Sequence, residues 1–108
     1  MAAASLKNLS RLAIHTQTTK LWSLAQCIDA YSVAGIRGIS VWRDVFEPMG
    51  CNVAGKMLRD AGMSVPALVR GGFFPALDSA ARQSALDINR LCIDEAAAIG
   101  AEMVVLVV

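Results

Sequence analysis

Three residues of this chain pair a versatile side chain with a place at the end of a short apolar run. His15 stands at the end of "RLAIHT", Trp42 closes "RGISVW", and Arg70 follows "SVPALV" within "LVRGGFFP". An imidazole near neutral pH can serve as a general base, a metal ligand or a hydroxyl-binding group; the plainer alternative is a histidine hydrogen-bonded at a strand end. Trp42, followed by Arg43 and Asp44, offers an apolar ring on which a sugar can stack beside charged groups. Equally, the ring can cover the rim of the fold while Arg43 and Asp44 form a solvated turn pair. Arg70 carries the sharper question, because a guanidinium is costly to bury without an anion, carbonyls or water around it. A substrate phosphate or carboxylate is one candidate partner, and a neighbouring acidic side chain is another. Gly71 and Gly72 then read as the turn leaving the strand, with Phe73 and Phe74 covering the rim.

The elements that must hold these residues follow from two alternating periods. The runs "RLAIHT", "RGISVW", "SVPALV" and "EMVVLVV" have the length and β-branched content of strands, with starts near residues 11, 37, 64 and 102. Between them lie helical spacings. Ser23 with Gln26 makes a capping box ahead of Leu24, Cys27, Ile28 and Tyr31, with Gly35 as the stop. A second helix carries Val53, Met57, Leu58 and Ala61 before Gly62. A third opens near Asp78 or Ser79 and runs through Ala85, Ile88, Cys92, Ala96 and Ile99 to Gly100. Asp87, Asp94 and Glu95 on this third helix read as solvated surface charge, away from the strand ends.

Strand and helix in strict alternation predict a parallel sheet with right-handed crossovers. If Ile14, Ile39, Val41, Val65, Ala67 and Val69 face the helices, alternation turns His15, Trp42 and Arg70 to the opposite side, at the C-terminal strand ends where parallel α/β folds gather their binding groups. A doubly wound nucleotide-binding sheet calls for a glycine-rich turn after the first strand, and "HTQTTKLWS" has no glycine. A barrel fits better, although a complete one needs about 250 residues and this chain has room for about half. The expected fold class is therefore α/β: parallel (β/α) units, four strands and three helices, of a truncated barrel within a single domain spanning residues 1–108.

Bulk composition narrows the partners. The chain is 108 residues long, 56% hydrophobic and 18% charged, which suits a core-forming domain and not a disordered one. A net charge of +1 from scattered residues lacks the basic footprint of a nucleic-acid or anionic-membrane binder. No apolar run approaches the roughly 20 residues that span a bilayer, and the opening "MAAASLKNLSR" lacks a long apolar stretch, so the expectation is a cytoplasmic chain. The three cysteines are dispersed and odd in number, which predicts reduced thiols, with Cys27 and Cys92 facing the core.

The segments "GIRGISVWRD", "LVRGGFFP" and "RQSALDINRLCIDEAAAIGAEMVVLVV" resemble the sugar phosphate isomerase/epimerase family, the xylose isomerase-like TIM barrels, with similarity running from "LAIHTQTT" onwards. The resemblance implies an N-terminal fragment: three β/α units and a fourth strand. Complete members typically bind a divalent metal (Mn, Mg, Zn or Co) and interconvert sugars or keto acids by metal-assisted proton transfer next to a carbonyl. Their metal ligands and acid/base pair come from later strands, so no residue here inherits a metal role. His15, Trp42 and Arg70 are then substrate-side contacts for a sugar or keto acid, and the fragment alone is expected to be inactive. The superfamily also includes apurinic-site endonucleases, a role that the scattered charge disfavours. The alternative is a non-catalytic half-barrel that assembles with itself or a complementary chain, because "MVVLVV" would leave an unpaired edge. Aggregation, oligomerisation or a molten chain is expected of it alone.

Overall fold

The structure, a computed structural model, describes residues 6–108; the first five residues, part of the opening "MAAASLKNLSR", lie outside the described residues. Four strands, β1 (Ala13–His15), β2 (Gly38–Trp42), β3 (Leu68–Gly72) and β4 (Val104–Val107), form one sheet in the order β1-β2-β3-β4. Every neighbouring pair is parallel. The crossovers carry α1 (Leu24–Val33), α2 (Arg43–Phe46), α3 (Cys51–Asp60) and α4 (Ser79–Ile99). The α/β class and parallel sequential order expected from the alternating periods are what the structure has. Among the described residues no helix is long and apolar enough to cross a membrane.

α1 follows its sequence signals closely. The Ser23 side chain accepts from the Gln26 N–H, the Gln26 side chain accepts in return from the Ser23 N–H at 2.8 Å, and Leu24, Cys27, Ile28 and Tyr31 are all buried. Asp78 caps α4 by accepting from the Ala81 N–H at 2.7 Å. Gly35, Gly62 and Gly100 take positive φ just beyond α1, α3 and α4. The helices cover one face of the sheet. Ile39, Val41 and Leu68 from the strands meet Leu24, Ile28, Leu58, Cys92 and Ile99 in a single cluster.

Four expectations need correction. The third strand is displaced: Ser64 and Val65 make only isolated bridges, and the ladder resumes at Leu68 because Pro66 lacks the N–H a continuous strand would use. Gly71 and Gly72 therefore lie inside β3, paired with Leu106 and Val107, and the chain turns at Phe73, whose φ is 57°. There is also a fourth helix, the single turn α2, preceded earlier in the chain by a 3-10 turn over Thr16–Thr19. Finally, each helical stripe departs from expectation locally: α3 buries Leu58 as expected but takes Ala54 and Gly55 in place of Val53, which is 53% exposed, and α4 buries Cys92, Ala96 and Ile99 as expected but Asn89 in place of Ile88, which is 48% exposed.

Cys27 and Cys92 are buried as expected, Cys51 sits half-buried at the start of α3, and all three are free thiols. Burial pushes the Cys92 thiol above its ordinary pKa, keeping it protonated and unreactive. In the native chain a maleimide reagent should modify Cys51 first and leave Cys27 and Cys92 untouched until denaturant is added. Equal rates at all three, followed by mass spectrometry of the peptides, would contradict this packing.

Candidate functional site

The C-terminal ends of β1, β2 and β3 bring the three sequence candidates together. Trp42 donates from its indole Nε1–H to His15 Nδ1 at 3.2 Å. The Arg70 guanidinium lies over the Trp42 ring at 5.7 Å from its centroid and over the Phe73 ring at 4.9 Å. The register explains the first contact: His15 pairs with Ser40, so the chain runs two residues further to Trp42 and its ring folds back over the end of β1. Thr16 fixes that corner, its buried hydroxyl accepting from the Trp42 backbone N–H at 3.0 Å. Phe73 reaches Arg70 because the register shifts between Val69 and Gly71, after which the chain turns out of the sheet.

These contacts revise the possible roles. An Nδ1 that accepts from indole leaves the neutral imidazole's proton on Nε2, so that nitrogen is the one positioned to donate. One face of Trp42 carries the guanidinium, which narrows the room for sugar stacking to the remainder of the ring. Arg70 is exposed and not buried against an acid: its Cζ lies over the Trp42 and Phe73 rings, and no acceptor among the described residues bonds its side chain.

A cleft of about 750 Å³ opens over these strand ends, lined by Lys20, Trp42, Arg43, Asp44, Arg70 and Phe73 among others. His15 stands behind Trp42 and does not line it. On the α4 side the cleft is lined by Ala81, Ser84, Ala85 and Ile88, and two further α4 residues that sequence reasoning placed elsewhere or passed over hold the cleft's lining from behind. Glu95 is not solvated surface charge: its carboxylate accepts from Arg43 Nε at 2.6 Å and Nη2 at 3.0 Å, and its side chain is only 11% exposed. The Glu95 hydrogen bonds raise the Arg43 pKa further, outweighing the effect of burial. Asn89 is buried beside Gly72, accepting from its N–H at 2.7 Å and donating to its carbonyl at 2.8 Å. One amide thus satisfies both backbone groups of Gly72, fixing the strand end that carries Arg70 and Phe73. The signal for both was present in the sequence, since Asn89 and Glu95 share the helix face of Cys92, Ala96 and Ile99 at spacings of three and four.

Among the described residues, no three of His, Cys, Asp and Glu gather in a way that could hold a metal ion. The single histidine has its Nδ1 engaged by Trp42, and the nearest buried carboxylate, Glu95, is engaged by Arg43. The described residues do not by themselves gather into a divalent metal centre.

No protein-family model matches the chain, and no curated protein matches it either. Among solved structures it is similar to protein SMc04130 from Sinorhizobium meliloti 1021, with 38% identity over 92% of this chain and 36% of that one, at a TM-score of 0.86. It is also similar to a xylose isomerase-like TIM barrel/4-hydroxyphenylpyruvate dioxygenase fusion protein, with 18% identity over 87% of this chain and 15% of that one, at a TM-score of 0.73. The chain therefore spans about a third of the first of these proteins and a smaller share of the second. What the likeness and the sheet together establish is the fold: a partial TIM-barrel-like unit of four parallel strands with their helices.

Proposed function

We propose that this chain is the N-terminal part of a xylose isomerase-like barrel that isomerises or epimerises a sugar or keto acid by moving a proton next to its carbonyl. Its own residues supply one wall of the substrate cleft; the divalent metal and the acid/base pair belong to strands outside this chain. The observation that carries the reading is the meeting of Trp42 and Arg70 over a cleft at the C-terminal ends of parallel strands, the face where such folds collect their ligands. Within that wall Arg70 offers donors, Asp44 offers acceptors for hydroxyl groups, and Trp42 and Phe73 present apolar rings on one side.

The 108-residue chain alone is expected to show no turnover of sugars or keto acids with added Mn, Mg, Zn or Co, whereas its fusion to the remaining units of a related barrel restores it. Metal-dependent turnover by the isolated chain would overturn the division of labour.

A second reading has its own observation. β1 and β4 are the two ends of the sheet, so each leaves one hydrogen-bonding edge without a partner strand among the described residues. A closed parallel barrel has eight strands, so two copies related by a twofold along the barrel axis would pair each β4 with the other copy's β1, all parallel. Light scattering after size exclusion then gives a dimer or larger species; a folded, strictly monomeric chain in dilute solution counts against self-assembly.

A further inference from the structure

α1 buries Leu24, Cys27, Ile28 and Tyr31 against the sheet, and its opposite side carries a stripe that neither the strand pairing nor the cleft uses. Trp22, Gln26, Asp29, Ala30 and Val33 line an open hollow there of about 540 Å³. Trp22 is 43% exposed, Val33 90% and Leu21, beside Trp22, 95%, so large apolar side chains face water at both ends of the stripe. Between those ends sit two polar groups with unused capacity. Gln26 engages its Oε1 with the Ser23 N–H at 2.8 Å, and its Nε2 group donates to no acceptor among the described residues. The Asp29 carboxylate likewise accepts from no donor among the described residues.

The order of these groups is self-complementary. Trp22 and Val33 stand equally far along the chain from the point midway between Gln26 and Asp29. A twofold axis through that point, with a second copy of the helix running antiparallel, sets Trp22 against Val33 of the second copy and the Gln26 amide against its Asp29, each contact occurring twice. Ala30 is small and lets the two helices come close. A parallel pair would instead set Asp29 against Asp29, like charge on like.

We propose that the outer face of α1 docks on the same face of a second copy of this chain, the two helices antiparallel about that axis. The surface is separate from the edges of β1 and β4 and does not depend on the activity proposed above, so it operates whether or not a barrel closes at those edges. A helix of 10 residues is about 15 Å long. A contact of that length falls under the roughly 1,200 Å² of a standard interface, which makes the dimer a weak one.

The test is sedimentation equilibrium across about 10 μM to 1 mM, the range of a weak interface. It uses the 108-residue chain and its fusion to the remaining units of a related barrel, in which the strand edges are already paired. A reversible, concentration-dependent association is expected in both. Val33→Ser, at a position too exposed to matter for folding, should weaken it about 10–100-fold by removing a covered valine at both ends of the contact. Gln26→Glu keeps the capping box, since a carboxylate also accepts from the Ser23 N–H, but it faces Asp29 of the second copy with a like charge and should weaken association about tenfold. Adding Asp29→Lys to Gln26→Glu turns that repulsion into an ion pair and should return the affinity to within about threefold of the parent. No association in either protein, or association unchanged by Val33→Ser and by the charge exchange, overturns the proposal. Association of the short chain that the fusion abolishes overturns it too, and assigns this face to a later helix of the same barrel.

Discussion

Replacing Gly72 by alanine is expected to cost about 3–5 kcal/mol, a large part of the roughly 5–15 kcal/mol that holds a domain of this size together. Two effects combine. Gly72 has φ at 99°, where a side chain adds about 1–3 kcal/mol of backbone strain. A Cβ there would also collide with the backbone of Val107, its partner in β4, and backbone cannot swing aside as a flexible side chain can. Moving Val107 away breaks the bond from the Phe73 N–H to the Val107 carbonyl, 2.8 Å, and pulls Gly72 off the Asn89 amide. Gly50 separates the two effects, because its φ is 83° but nothing lies within 4 Å of the place a Cβ would take. Gly50→Ala should therefore cost only the strain, about 1–2 kcal/mol. Urea midpoints measured at one protein concentration give both numbers, the fixed concentration being needed where association contributes to stability. If Gly72→Ala loses no more than Gly50→Ala, close approach to β4 is not the reason for glycine at this position.

The same region shows what a sequence can and cannot carry. α1 and β2 were legible because their signals are local: a capping box, four apolar residues at helical spacing, and a β-branched run lie within a few residues of each other. The end of β3 was not, because its outcome depends on distant groups. Two consecutive glycines predict a turn, yet Leu106, Val107 and Asn89 hold Gly71 and Gly72 inside the sheet. Pro66 was visible in "SVPALV", and its missing N–H is what breaks that run into a bridge and a later ladder. On α4 the helical period admits either residue 88 or 89 as the inward position. Hydrophobicity favours Ile88, whereas the structure turns Asn89 inward because the backbone of Gly72 needs its amide. Strand order brought His15, Trp42 and Arg70 to one end of the sheet, but the alternation expected in the third strand does not hold: Leu68 joins Val65 in the helix-side cluster while Ala67 and Val69 do not, and the register shift after Val69 is what sets Arg70 over Trp42 and Phe73.

Glu95→Ala is expected to cost about 2–4 kcal/mol, below the upper range for a fully buried pair because the Arg43 side chain remains 27% exposed. The loss comes less from the missing attraction than from what is left behind. Arg43 sits at the start of α2 against α4, where Nε and Nη2 would face an apolar gap unless the side chain swings into the cleft. The pair joins residues far apart in the chain, so it ties α4 to the end of β2 and shapes the cleft from behind. A double-mutant cycle isolates that tie. Arg43→Met with Glu95→Leu fills the volume with apolar groups and should lie within about 1 kcal/mol of the parent, because an uncharged replacement needs no partner. Each single substitution, by contrast, strands a charge. A coupling of about 2 kcal/mol or more from urea denaturation of the four proteins marks the pair as internal; one below about 0.5 kcal/mol would mark it as an ordinary surface contact.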